Sequence, residues 1–157
     1  MENKTNVMRI LDKAKIEYKV IDYHDKVFTN ANNIAVELGL NPEQEFKTLV
    51  TIGKSKNYYV FVVPSSHELD LKKAAKVVDE KNLEMIPFKD LLSVTGYIHG
   101  GCSPIGLKKP YTITINKTAT NFETIIFSAG KVGYSVEVKN SDLPKVIKYS
   151  YADIIKD

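Results

Sequence analysis

Phe46-Lys47-Thr48-Leu49-Val50-Thr51-Ile52, Gly53-Lys54-Ser55-Lys56-Asn57 and Tyr58-Tyr59-Val60-Phe61-Val62-Val63 follow one another without a break. The outer runs are rich in β-branched and aromatic residues, which crowd a helix and pack well on a pleated sheet. The middle run is polar and contains glycine. The stretch is therefore predicted to be a β-hairpin.

Upstream, Val7, Ile10, Leu11 and Ala14 recur at helical spacing, with Thr5 or Asn3 available as a cap, predicting an amphipathic helix over 5–15. Residues 17–23 alternate as a strand does. Ala31, Ile34, Ala35 and Leu38 share one face of a helix predicted over 29–38, closed by Gly39. Downstream, Asp70 is placed to cap a helix carrying Leu71, Ala74, Ala75 and Val78. A short strand is expected at 83–86 and a helix from Pro87 to Leu92. Strands are expected at 111–115, 124–127 and 134–138, the last two as a hairpin. A final helix is expected to start at Ser141 with Pro144 in its first turn. Strands outnumber helices and short turns join several of them. The expected class is α/β, with a mixed, largely antiparallel sheet and helices around it. With 157 residues, one domain spanning 1–157 is expected.

Net charge is +3, from 22 basic and 19 acidic residues, too mild to argue for nucleic acid on its own. No apolar run reaches the roughly 18 residues of a membrane helix, and the start of the chain lacks a signal peptide's apolar core. A cytoplasmic location is expected, with no membrane partner. The single cysteine, Cys102, excludes an internal disulfide and a cysteine-rich zinc site. His24, His67 and His99 have no metal-ligand spacing, so no metal is expected. No Gly-x-Ser-x-Gly elbow or phosphate-binding Gly-x-x-x-x-Gly-Lys loop occurs.

Two glycine loops remain. Gly100-Gly101-Cys102-Ser103-Pro104-Ile105-Gly106 offers successive backbone N–H groups that suit an anion or an oxyanion, or else forms a structural turn. Ser128-Ala129-Gly130-Lys131-Val132-Gly133 has the same two readings. Lys47, on an apolar strand, either points into a cleft or is solvated at the strand end. Cys102 has no visible partner base, and a half-buried turn residue is the alternative to a nucleophile. His99 is either a general base or an ordinary histidine. Tyr23-His24-Asp25 either lines a pocket or ends a strand.

Five segments in order carry a resemblance: Phe46-Lys47-Thr48-Leu49-Val50, Glu68-Leu69-Asp70-Leu71-Lys72-Lys73, Thr95-Gly96-Tyr97, Gly100 to Gly106, and Phe127-Ser128-Ala129-Gly130-Lys131. Together, from about Val7 to Ile155, the chain resembles the YbaK/EbsC family of Cys-tRNA(Pro) deacylases, related to the editing insertion of prolyl-tRNA synthetases. The resemblance implies a partly barrel-like sheet and hydrolysis of the ester between an amino acid and the terminal ribose of tRNA, without cofactor or metal. It implies that Lys47 holds the RNA 3′ end and that an N–H of Gly100-Gly101, Gly101 foremost, meets the ester oxygen. It places Tyr23, Thr48 and Ser128 at pocket positions, with Gly100, Ser103 and Gly130 completing the expected substrate-binding set. The substrate's own thiol is expected to attack the carbonyl. The implied partners are an aminoacylated tRNA acceptor end and prolyl-tRNA synthetase. Lys54, Lys56, Lys108 and Lys109 either supply RNA-facing charge or are simply solvated.

Val132 stands where relatives tend to have Arg, Ser135 where they often have an acidic residue, and Asn30 where an aromatic residue is expected. These departures bear on amino-acid specificity. The alternatives are a deacylase for Ala-tRNA(Pro) or another mischarged tRNA, a non-catalytic RNA- or nucleotide-binding regulatory module, and a redox role for Cys102.

Overall fold

A computed structural model describes residues 4–26 and 31–157. Helix α1 (Asn6–Lys13) starts where the Thr5 hydroxyl accepts the Met8 N–H at 3.2 Å, satisfying one of the free donors of the first turn. It buries Val7, Met8 and Leu11. Strand β1 (Tyr18–Asp22) and helix α2 (Ala31–Glu37) follow. Residues 29 and 30 of the predicted second helix, Asn30 among them, lie outside the described residues.

The predicted hairpin is β2 (Phe46–Gly53) with β3 (Tyr58–Pro64), paired antiparallel with Lys47 opposite Val63. Helix α3 (Leu71–Val77) is capped by Asp70, which accepts the Lys72 and Lys73 N–H groups at 3.0 Å each. Strand β4 (Leu83–Met85) pairs with β2, and α4 (Phe88–Thr95) runs three residues beyond the predicted Leu92 to Gly96. Strands β5 (Thr112–Asn116), β6 (Thr124–Lys131) and β7 (Tyr134–Lys139) complete the predicted set.

The predicted final helix is only a short 3₁₀ helix, Asn140–Lys145, and a short strand, β8 (Ser150–Ala152), follows. Pro144 lacks the N–H that a continuing helix needs, and Leu143 is buried as an anchor. β8 then adds to β5 in parallel, Thr114 opposite Ser150.

The strands form two sheets, β1-β7-β6 and β4-β2-β3-β5-β8. Among the described residues the pairings are antiparallel except β3·β5 and β5·β8. The sheets join at a parallel bridge between Glu45 and Ile126, with the Ile126 N–H donating to the Gln44 carbonyl at 3.1 Å. Phe46, Val50, Val60, Ile115, Ile125, Phe127 and Val136 form the main core together with α1. Each such side chain contributes roughly 1.5–3 kcal/mol on burial. A second cluster, Phe61, Val63, Ala74, Leu83 and Ile154, lies under α3. β3 is thus covered on both faces, which explains its unbroken apolar run.

β6 shifts register between Ser128 and Lys131, and Gly130 sits in the shift at φ +89°. A Cβ there would lie 2.9 Å from Val7 Cγ2 and 3.0 Å from Tyr97 Cε1, so the glycine lets α1 and Tyr97 close on the strand. Gly130→Ala is expected to cost about 2–4 kcal/mol, combining left-handed strain with overpacking. Urea unfolding measures it, and a loss below about 0.5 kcal/mol contradicts this packing.

Candidate functional site

Side chains alternate along β2, so Lys47, Leu49 and Thr51 take one face and Phe46, Thr48 and Val50 the other. Counting from the Glu45–Ile126 bridge, Lys47 and Ser128 are each two residues further on in parallel directions. The same alternation therefore puts them on one side of the joined sheets. Ser128 is in turn opposite Ser135 in the β6–β7 ladder. Ser135 Oγ lies 3.3 Å from the Tyr23 hydroxyl, and the Tyr23 N–H donates to the Gly133 carbonyl at 2.8 Å. Lys47, Ser128, Ser135 and Tyr23 thus form a row across β2, β6 and β7 to the residue that follows β1.

Glu45 belongs to this row. It is 8% exposed, and one carboxylate oxygen, Oε2, has no hydrogen-bond partner among the described residues. Burial pushes its pKa up to about 7, with the Ser65 hydroxyl and the Lys47 charge pulling the other way. The Ser65 hydroxyl has one proton for two acceptors, the Glu45 carboxyl and the Pro42 carbonyl at 3.2 Å. Half-burial lowers the Lys47 pKa, against the opposing pull of Glu68 and Glu45. Burial raises the Tyr23 pKa, and the negative field of Glu45 adds to this.

The two glycine loops touch. A Cβ on Gly101 would come within 3.1 Å of the Val132 N and 3.3 Å of the Lys131 carbonyl carbon, so only glycine permits this approach. The Gly101 N–H donates to Ile98 O at 3.0 Å, closing a turn with Gly100 at φ +87° in its third position, as a type II turn requires. The amide expected to meet the ester oxygen is therefore already engaged. Gly100 is exposed, and its N–H has no acceptor among the described residues. The Lys131–Val132 contact lies just past the register shift that separates it from Ser128.

The aminoacyl-tRNA editing domain family matches residues 25–146. The chain belongs to this family. It is 39% identical over 154 residues to EbsC of Enterococcus faecalis, named there as a candidate Cys-tRNA(Pro)/Cys-tRNA(Cys) deacylase, covering 98% of this chain and 94% of that one. It is 25% identical over 118 residues to a proline–tRNA ligase of Burkholderia orbicola, covering 71% of this chain and a fifth (20%) of the ligase. A crystal structure described as a candidate trans-editing enzyme for prolyl-tRNA synthetase superposes with a TM-score of 0.84 at 21% identity, covering 99% and 100% of the two chains. That likeness supports the mixed α/β fold.

Within the editing domain the expected site residues divide. Lys47, Tyr23 and Ser128 come together, and Gly100 and Gly101 adjoin them through the second loop. Thr48 does not: its hydroxyl is buried on the opposite face of β2, with no partner among the described residues. Ser103 is fully buried, and its hydroxyl accepts the Ile105 N–H at 3.3 Å, which shapes the loop. The Gly130 N–H donates to Ser128 Oγ at 3.1 Å and is likewise engaged. Cys102 is buried, and its thiol is pushed up to about 12 by that burial, so it stays protonated. His99 stacks on Phe88, with ring centroids 4.1 Å apart. His24 stacks on Tyr134 and pairs with Asp22, which raises its pKa.

Sequence reading missed Glu45. A lone acid before a strand carries no signal until the fold buries it. Its folded pKa lies above the ordinary 4.5, so folding takes up a proton. The penalty is absent below pH 4.5, grows as pH rises toward 7 and is constant above that. Its full size is about 3 kcal/mol, at about 1.4 kcal/mol per pKa unit. Glu45→Gln is expected to be more stable than wild type at about pH 8, with the difference shrinking toward about pH 5. Urea unfolding across that range checks this, and parallel curves for the two proteins contradict it.

Proposed function

We propose that this editing domain hydrolyses the ester of a mischarged aminoacyl-tRNA, Cys-tRNA(Pro) first among them. It would act in the cytoplasm beside prolyl-tRNA synthetase, with residues 1–157 as one unit. The observation that carries this reading is Lys47, half-buried and on one side with Ser128, in a member of the editing-domain family.

Lys47 serves as a fixed cation for the terminal phosphate or ribose, and Ser128 and Tyr23 bound the aminoacyl group. The Gly100 N–H faces the developing oxyanion; one preorganised donor of this kind contributes roughly 3 kcal/mol. The substrate thiol loses its proton to solvent and attacks the ester carbonyl. The C–O bond to ribose breaks, and the ribose oxygen takes up a proton. Water then opens the cyclic thioester to release cysteine. Holding sulfur and carbonyl together supplies effective molarity, so the protein mainly positions and stabilises. Protonated Cys102 takes no part.

A second reading, hydrolysis of Ala-tRNA(Pro), is favoured by Val132. It is 50% exposed, with its Cγ2 3.5 Å from where a Gly100 Cβ would stand, and it offers an apolar wall for a methyl side chain. Single-turnover hydrolysis of Cys-tRNA(Pro) and Ala-tRNA(Pro) decides between them. The cysteinyl ester is expected to be hydrolysed faster. Lys47→Ala is expected to lower the rate at least about 100-fold with the fold intact, while Cys102→Ser leaves it nearly unchanged. Equal rates for wild type and Lys47→Ala contradict the assignment.

A further inference from the structure

A cavity of about 620 Å³ lies away from the Lys47 row, between the chain entering β5 and the chain entering β8. The parallel pairing of β5 with β8 brings these two segments together. Its floor is apolar, with Ile10, Ile113 and Val146, and two half-buried tyrosines, Tyr111 and Tyr149, stand in its wall. The Tyr111 hydroxyl is tethered to the Val94 carbonyl at 2.6 Å, and the ring packs edge-on against Tyr58 with centroids 5.9 Å apart. Tyr149 packs edge-on against Tyr151 at 5.3 Å. Each ring thus packs against a second tyrosine.

The rim is cationic. Lys108, Lys109 and Lys148 line the cavity, and no Asp or Glu does. All three are exposed, and none forms an ion pair among the described residues. Some lysines elsewhere do have carboxylate partners: Lys73 pairs with Asp153 and Asp157, Lys145 with Asp142 and Lys156 with Glu68. Ammonium groups with no carboxylate partner among the described residues, beside an apolar and aromatic lining, suit a ligand that is both anionic and planar. Phosphate with a stacked base has that chemistry.

We propose that this cavity seats a nucleotide of the RNA substrate upstream of its acylated end, holding the phosphate at the lysine rim and the base against the tyrosines. The proposal rests on the deacylase reading above. The glycine loop links the two places: Gly101 packs on Val132 beside the Lys47 row, while Pro104 and Gly106 of the same loop line this cavity. An RNA strand leaving the cleft along that loop meets the cavity without crossing a carboxylate in its lining.

The test compares full-length Cys-tRNA(Pro) with cysteinyl-adenosine, which carries the ester and no upstream nucleotide, using wild type and Lys109→Ala/Lys148→Ala. Both substitutions are on exposed side chains and leave the core untouched. For the full-length substrate the variant is expected to raise KM about tenfold with kcat unchanged, and to flatten the salt dependence of binding by about two phosphate contacts. Cysteinyl-adenosine is expected to be hydrolysed equally by both proteins. An unchanged KM for full-length tRNA overturns the proposal, and so does an equal loss on both substrates, which would place the lysines in the ester site. Should wild type hydrolyse neither substrate, the deacylase reading fails separately, and the cavity is judged by binding of uncharged tRNA, where equal affinity for wild type and variant overturns it. AMP binding that the variant abolishes, with tRNA binding unaffected, assigns the cavity to a free nucleotide and overturns the RNA assignment.

Discussion

The parallel bridge between Glu45 and Ile126 is the contact on which the rest of the site depends. Two sheets with different partners meet there, and the bridge immediately precedes β2, so it sets the register of β2 against β6. Because side chains alternate strictly along each strand, that one register places Lys47 and Ser128 on the same side and sends Phe46 and Phe127 into the core. A slip of one residue would turn Lys47 into the apolar interior. Full burial of Phe127 and near-full burial of Phe46 thus hold the site's geometry as well as the fold.

The charge arrangement follows from the same junction. Closing two sheets buries Glu45, and a buried carboxylate next to a lysine is partly compensated but not saturated. Lys47 consequently sits in a partly dehydrated setting where its interaction with an anion is stronger than on open surface. Two residues with catalytic side chains are otherwise occupied: Cys102 is buried and protonated, and His99 stacks on Phe88. A cation, hydroxyls and backbone amides are groups that position and stabilise, which is the role the proposed deacylase mechanism asks of the protein.

Much of this was legible in the sequence, because local signals and tertiary demands agreed. The hairpin of β2 and β3 and the Thr5 and Asp70 caps follow from residue chemistry at those positions, whereas α4 runs past the expected Leu92 to the left-handed Gly96 that ends it. The last segment was misread because Ser141 and Pro144 look like a helix start, whereas pairing with β5 draws the chain into an edge strand. In the candidate site, motif order points to Lys47, Tyr23 and Ser128, which the fold brings to one side. Motif order does not assign faces, so it groups Thr48 with Lys47 although adjacent residues of a strand point opposite ways. Nor does it show that Gly101 spends its N–H on Ile98 while the Gly100 N–H has no acceptor among the described residues. Glu45 was invisible because its character comes from burial, which depends on contacts distant in sequence.

A double-mutant cycle between Lys47 and Ser128, read as single-turnover hydrolysis of Cys-tRNA(Pro), tests most directly whether the bridge makes them one site. Residues serving a common bound group couple by more than about 0.5 kcal/mol. The expected result is that Lys47→Ala/Ser128→Ala loses clearly less than the product of the two single losses. Losses that multiply would show the two residues acting independently and would contradict the account.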